Sequence, residues 1–327
     1  MPASSTPAAP LRRLVAVALN ASVDKIAAVE RLEPGQIHRP VVLSVVAGGK
    51  ALNVARAAAA LGMAASAVPV IAGHAGAWLE EALASSGVAV RPVRVAGETR
   101  ECLSILDRST GRLTELYEAG PGLDDAGWAA VDAAVRAELE TDPGGAVVVM
   151  SGSLPPGAPA DAYARLTAQA RATGARAAVD VGGQPLALAA AARPWLVKVN
   201  AAEAAQATGL RVGGEPEAVA AARALRLAGA GITLVSRGIH GAVVVDEDDA
   251  AWRVGPPPEL GPFSVGSGDS MLAGFLAAVA AGHPTAEAAR RGSAAAAANA
   301  LHPGQGEIDR ADVDRLLPSI TLDRIDG

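Results

Sequence analysis

The segment SVGSGDSMLAGFLAAVAAG at 264–282 carries the residues best suited to chemistry. Gly266, Ser267 and Gly268 leave the main chain unobstructed just before an apolar helical stretch, so several peptide N–H groups can converge on one anion while the helix dipole adds positive charge. Such a turn is a cradle for a phosphate. Asp269, first in the helix, would stand beside a bound phosphoryl group, where a carboxylate can accept the proton of an attacking hydroxyl. The plainer role for an aspartate after a glycine-rich turn is a helix cap, and the segment alone leaves both open.

A second segment, VAGGKALNVARAAAALG at 46–62, brings a different set of groups. Gly48 and Gly49 let a polar ligand approach the backbone, Lys50 supplies a cation, and Asn53 offers a donor and an acceptor to a sugar hydroxyl. It is not a Walker A loop, which needs GxxxxGK[ST]. On its own, Gly-Gly-Lys before a helix also describes an ordinary turn with an exposed lysine.

The elements that must hold these groups follow an α/β rhythm. Short β-branched runs alternate with Ala/Leu/Arg helical patterns, the signature of repeated βα units around a largely parallel sheet. Strands are expected over 14–19, 67–71, 146–150, 177–181, 196–199, 233–236 and 242–245. Helices are expected over 51–61, 75–85, 128–138, 160–173, 201–208, 216–228, 269–281 and 285–301. Two regions, about 36–46 and 101–117, break the rhythm with extended patterns and no helix between them. They read as a small sheet projecting from the main domain, a lid that keeps water from the reaction, or more plainly as edge hairpins.

Composition narrows the partners. Half of the 327 residues are hydrophobic, enough for a large core without metals or disulfides. The net charge of -6, without clustered Lys and Arg, gives no reason to expect nucleic acid or a membrane. Cys102 is the single cysteine, which excludes an intrachain disulfide or a thiolate zinc site and fits a reducing cytoplasm. His38, His74, His240, His283 and His302 are scattered without metal-like spacing. Residues 1–12 read as a disordered tail rather than a signal peptide, leading into one domain over 13–327. The Ala-rich helices are too polar or too short to span a bilayer.

The two glycine motifs, in this order, resemble the paired signatures of the PfkB carbohydrate kinase family. SGSLPPG at 151–157, KVNAAE at 198–203 and SRGIHGAVV at 236–244 are similar to the family's intervening segments, so the likeness runs from about 14 to 317. The resemblance implies a ribokinase-like three-layer α/β/α sandwich with a mainly parallel sheet and a small β-sheet lid. The stretch at 97–123 is similar to the tagatose-6-phosphate kinase and 1-phosphofructokinase branch, and nearer to the former. In that branch the positions matching Asp24, Gly49, Lys50, Asn53, Arg100 and Cys102 contact the sugar phosphate, with Gly48 beside them; Arg39 is a further charge near the lid. Asp24 and Asn53 suit hydroxyls, and Lys50 and Arg100 suit a dianion.

By the same resemblance ATP lies across the carboxyl ends of the strands with Mg2+ on its phosphates, and a monovalent cation is left open. Asn200 and Glu203 would organise metal-bound waters, Ser236, Gly238 and Gly241 would line the nucleotide, and Asn299 would lie near the base. The amides of Ser267 to Asp269 would stabilise the transferred phosphoryl group, and Asp269 would be the base. Dimerisation through the lid is also implied. Three departures touch backbone stiffness: NASVD at 20–24 lacks the family's proline, Ala51 replaces a glycine and Val199 replaces the proline of KPN. A kinase of a free sugar or nucleoside is the competing enzyme, and Lys50 with Arg100 speaks against it because a neutral substrate leaves both charges without a partner. A catalytically silent sensor is the competing non-enzyme. A Rossmann dehydrogenase is excluded because no GxGxxG follows the first strand.

Overall fold

The first strand of this computed structural model, which describes residues 9–325, sends alternate side chains into two separate cores. Leu14, Ala16 and Ala18 enter one, and Val15 and Val17 enter the other. A strand apolar on both faces must be covered on both, so helices are required above and below it. Of the tail expected over 1–12, residues 1–8 lie outside the described residues, Leu11 is buried, and Arg12 pairs with Asp142 at 2.7 Å.

Strands β1 (Arg13–Ala18), β2 (Ser22–Val29) and β3 (Val41–Gly48) precede helix α1 (Lys50–Ala60). Then come β4 (Ala64–Ile71), α2 (Gly73–Ser85), β5 (Ala89–Val90), β6 (Val93–Arg94), β7 (Arg100–Asp107) and β8 (Arg112–Tyr117). They are followed by α3 (Asp125–Leu139), β9 (Ala146–Ser151), α4 (Ala162–Ala172), β10 (Arg176–Asp180), α5 (Gly183–Ala191) and β11 (Leu196–Asn200). The remainder forms α6 (Ala201–Thr208), α7 (Glu215–Leu227), β12 (Ile232–Ser236), β13 (Ala242–Val245) and β14 (Ala251–Val254). After these lie α8 (Ser267–Ala280), α9 (Thr285–Asn299), α10 (Arg310–Leu316) and β15 (Leu322–Ile325).

The main sheet has the order β15-β14-β13-β12-β11-β10-β9-β1-β4-β5, with β6 also on β4. Pairing is parallel from β12 to β5 and antiparallel across β13, β14 and β15. Helices α1, α2, α8, α9 and α10 supply one core, and α3 to α7 supply the other, which completes the expected three-layer sandwich. Asp180, Asn200 and Ser236 are the last residues of β10, β11 and β12, at the carboxyl edge where ligands of open α/β sheets bind.

A second sheet of order β3-β2-β7-β8 stands over that edge as the lid. Its extent differs from the sequence expectation in two respects. The segment expected over 36–46 becomes a strand only at Val41, and Ser22–Val29, not foreseen as a strand, is one of the two inner strands, antiparallel to β3 and parallel to β7. Its sequence SVDKIAAV has no clean alternation because all but Lys25 are buried between the lid and the main domain. Helices α5 and α10 and strands β14 and β15 were likewise not foreseen, the first because Gly183 and Pro185 open it with weak helix formers.

Candidate active site

Lid register brings the sugar-side residues together. Asp24 on β2 lies opposite Cys102 on β7, and Cys102 lies opposite Tyr117 on β8, so the three form one row across the sheet. Asp24 is buried, accepts from Ser22 Oγ at 2.6 Å and from the Gly49 amide at 3.3 Å, and its pKa is raised by burial against these bonds and the charges of Arg56 and Arg100. Gly48 makes room for it: a Cβ there would lie 2.1 Å from the Asp24 carboxylate. Arg100, at the start of β7, donates to Asn20 O at 3.0 Å. Burial also pushes the Cys102 thiol up, away from reactivity.

The glycine turn before α8 leaves two main-chain donors free where the sequence suggested three. Gly266 adopts φ 84° as the residue before α8, a left-handed turn that admits glycine cheaply and that no side chain caps. The Ser267 amide is spent on Ser264 O at 3.2 Å, which leaves the amides of Gly268 and Asp269 as the free donors of the first turn. Asn299, expected beside the base of a nucleotide, is instead fully buried under this turn. Its Nδ2 donates to Val265 O at 2.9 Å, and its Oδ1 accepts from Gly306 N at 2.7 Å and from Ser270 Oγ at 3.1 Å. It therefore braces the turn from beneath.

Asp269 is buried, with Asn53 Nδ2 donating to its Oδ2 at 2.9 Å. Its pKa is pushed up to about 7, first by burial and then by Asp180, while Lys198, Lys50 and Asn53 pull it down. Behind the cradle, Lys198 and Asp180 make an enclosed ion pair at 3.0 Å, and Lys198 Nζ lies 2.7 Å from where a Cβ on Gly268 would stand. Lys50 reaches Glu203 Oε1 at 3.6 Å, and the acids Asp180, Asp269 and Glu203 raise its pKa against the cost of burial. Glu203 also accepts from the Asn200 amide at 2.9 Å while Asn200 Oδ1 accepts from Glu203 N at 2.9 Å, a capping box at the start of α6.

One cleft of about 600 Å3 gathers nearly all of these groups. Asp24, Gly49, Lys50, Asn53, Arg100 and Cys102 line one part, and Gly266, Ser267, Gly268 and Asp269 line another. Asn200, Ser236, Gly238 and Gly241 line the side beyond the cradle. Gly48, Glu203 and Asn299 are not on its wall, and Arg39 is exposed on the segment before β3. A hollow of about 420 Å3 continues from the sugar side, sharing Gly49, Lys50, Arg100 and Tyr117 and adding Asn20, Gly152 and Ser153. The profile described as "pfkB family carbohydrate kinase" matches residues 12–311.

The chain belongs to the pfkB family of carbohydrate kinases.

Its relatives agree. A 1-phosphofructokinase of Xanthomonas campestris pv. campestris is 38% identical over 271 residues, spanning 81% of this chain and 83% of that one. Escherichia coli phosphofructokinase-2 in complex with substrates and products superposes with a TM-score of 0.86 at 29% identity, covering 94% of this chain and 99% of the other. The tetrameric inhibited form of the same enzyme gives 0.85 with the same identity and coverage. The ribokinase-like fold inferred from the motifs is the fold observed.

Several residues of this pfkB site escaped the sequence reading. Lys198 and Asp180 carried a signal, since a lysine inside the apolar strand VKV and an aspartate closing AAVD are charges placed where burial demands a partner. Tyr117 gave none beyond its place at the end of a lid strand, and Arg56 reads as the polar face of α1 although it is buried. For a metal, no three His, Cys, Asp or Glu side chains converge among the described residues. Asp180 Oδ1 is buried without a partner and Glu203 is close to Lys50, a donor set that fits a divalent ion held mainly by phosphate oxygens and water. No described helix is long and apolar enough to cross a membrane.

Proposed function

We propose that this pfkB kinase transfers the γ-phosphoryl group of ATP to a hydroxyl of a fructose phosphate, fructose 1-phosphate before the others, giving the bisphosphate. The observation that carries the reading is a single cleft in which Asp269 and the free amides of Gly268 and Asp269 share a wall with Lys50 and Arg100. A substrate with a hydroxyl at one end and a dianion at the other matches that polarity. The Xanthomonas relative's name turns the choice within the branch from tagatose 6-phosphate towards fructose 1-phosphate.

In this reading Asp24 and Asn53 bind sugar hydroxyls, Lys50 and Arg100 bind the phosphate already on the sugar, and Cys102 closes the wall between them. Asn200, Ser236, Gly238 and Gly241 flank the nucleotide. Glu203 would hold Mg2+ through water, and the ion would supply charge neutralisation on the transferring group. The sugar oxygen forms its bond to the γ-phosphorus as the bond to the β–γ bridging oxygen breaks, the hydroxyl proton passes to Asp269 Oδ1, and ADP leaves. Positioning and electrostatics supply the acceleration.

A homodimer through the lid is part of the proposal. Val42 and Val45 on β3 and Leu116 on β8 are exposed on the lid face away from Asp24, apolar residues that a second lid would cover. ATP and a sugar phosphate as substrates place the enzyme in the cytoplasm. A coupled ADP-release assay with fructose 1-phosphate, fructose 6-phosphate, tagatose 6-phosphate and free fructose tests the substrate. Fructose 1-phosphate is expected to give the highest kcat/KM, and turnover of free fructose alone would overturn the assignment.

A further inference from the structure

Arg56 touches the machinery from beneath, off the wall of the cleft. It is buried on α1, one turn beyond Asn53, and a single nitrogen, Nη2, donates to Asn53 Oδ1 at 2.8 Å and also to Gln305 O. A guanidinium has donors only, so the atom of the Asn53 amide that meets it must be the oxygen. The amide NH2 is thereby left facing Asp269, and a donor facing Oδ2 requires that oxygen to be an acceptor.

The second contact closes the arrangement from the other side. Gly306 follows Gln305, and a Cβ on Gly306 would lie 2.8 Å from Asn53 O, while a Cβ on Gly266 would lie 2.8 Å from Gly306 N. The turn at 304–306 is thus wedged between α1 and the phosphate cradle, and Arg56 ties it down.

We propose that Arg56 is a positioning residue for phosphoryl transfer: it fixes the Asn53 amide so that Asp269 Oδ2 is always a hydrogen-bond acceptor and Oδ1 is left for the sugar hydroxyl. The inference rests on Asp269 acting as the base. The groups facing Arg56 are Asp24 from β2, Asp269 from α8 and Glu307 beyond α9. Those facing Asp269 are Lys50 and Asn53 from α1, Asp180 from β10 and Lys198 from β11. Without Arg56 the amide is free to turn over and present oxygen to Asp269, which favours the protonated carboxyl, and one positive charge near the carboxylate is lost as well. Both changes act in the same direction.

Arg56→Met and Arg56→Lys test this, with thermal melting as the check on folding. Arg56→Met is expected to lower kcat by up to roughly 100-fold, the scale of a small misplacement, and to move the acid limb of the pH–rate profile up by about one pH unit. Arg56→Lys keeps the charge and is expected to keep the limb while recovering part of the rate. A folded Arg56→Met with the wild-type limb overturns the role, even where kcat is reduced, because a merely structural residue would leave the limb alone. Should Arg56→Met fail to fold, an Arg56→Lys enzyme whose limb has moved overturns it too. In the unsubstituted protein labelled with 15N-asparagine, the Asn53 side-chain amide signal is expected to titrate with the acid limb of kcat, and an unmoved signal overturns the proposal without any variant. A wild-type enzyme that phosphorylates no sugar phosphate instead removes the functional reading itself, so the two failures are distinguishable.

Discussion

Asn53 Nδ2 donates to Asp269 Oδ2 at 2.9 Å across 216 residues of sequence, joining the helix that follows Gly49 to the helix that follows Gly266. The bond is the physical link between the two halves of the cleft. It also occupies one of the two carboxylate oxygens of Asp269.

The first prediction is a pH profile. Asp269 is pushed up to about 7, above all by burial, and it can accept a proton only when ionised. kcat/KM for the sugar phosphate is therefore expected to rise with pH through about 7 and to fall away on the acid side. A profile flat across that region rejects Asp269 as the base.

Asp269→Asn separates activity from stability. It removes the base at constant size, for which a loss of about 100- to 10,000-fold in turnover is expected. Stability should move the other way at high pH. The folded-state pKa lies above the unfolded one, so the native protein holds a proton that the unfolded chain releases, and this contribution is complete below the unfolded value and lost as pH rises through about 7. Asparagine has no charge to bury, so the variant is expected to melt above wild type on the alkaline side, with the gap closing as pH falls. Identical melting temperatures at every pH contradict the burial argument.

Sequence reasoning recovered what backbone geometry announces and lost what only tertiary packing decides. Gly266 to Asp269 and Gly48 to Asn53 could be read because glycine followed by an apolar helix is a local pattern, and Gly266 to Asp269, Gly49, Lys50 and Asn53 line one cleft. Asn299 could not, since a polar residue on an Ala-rich helix looks the same whether it meets a ligand or, as here, three partners of a buried turn. Ser22–Val29 failed for a related reason: a strand covered on both faces shows no alternation, and although the resemblance singled out Asp24, its row with Cys102 and Tyr117 is set only by β7 and β8.

Gly48→Ala tests the fit of Asp24. The added Cβ would meet the Asp24 carboxylate at 2.1 Å, so the side chain must leave its place beneath the sugar. Overpacking on the scale of about 1–3 kcal/mol translates into roughly 10- to 100-fold in kcat/KM for the sugar phosphate. KM for ATP should hold, because the nucleotide side does not touch this pair. Equal losses for both substrates would mean a global effect instead.

Arg100→Ala addresses substrate charge. Arg100 lines both the cleft and its continuation beside Lys50, and a charge-assisted hydrogen bond is worth roughly 1.5–3 kcal/mol. kcat/KM for fructose 1-phosphate is expected to fall by about 10- to 100-fold, while any residual rate on free fructose stays unchanged. Equal falls on both sugars reject a contact with the sugar's own phosphate.

The enclosed pair behind the cradle permits the sharpest separation of scaffold from chemistry. Lys198 Nζ meets Asp180 Oδ2 at 3.0 Å with almost no exposure, and Asp180 Oδ1 has no hydrogen-bond partner. Removing one member of such a pair costs about 3–5 kcal/mol, whereas removing both can be nearly neutral. Lys198→Met is therefore expected to destabilise the protein strongly in chemical denaturation, since it leaves Asp180 uncompensated and facing Asp269. Asp180→Asn combined with Lys198→Met should recover most of that loss. Turnover should not return with it, because the ammonium that lies directly behind Gly268 is the positive charge nearest the cradle from the sheet side. A Lys198→Met protein as stable as wild type rejects the buried pair, and a double variant with full turnover rejects a part for Lys198 in transfer.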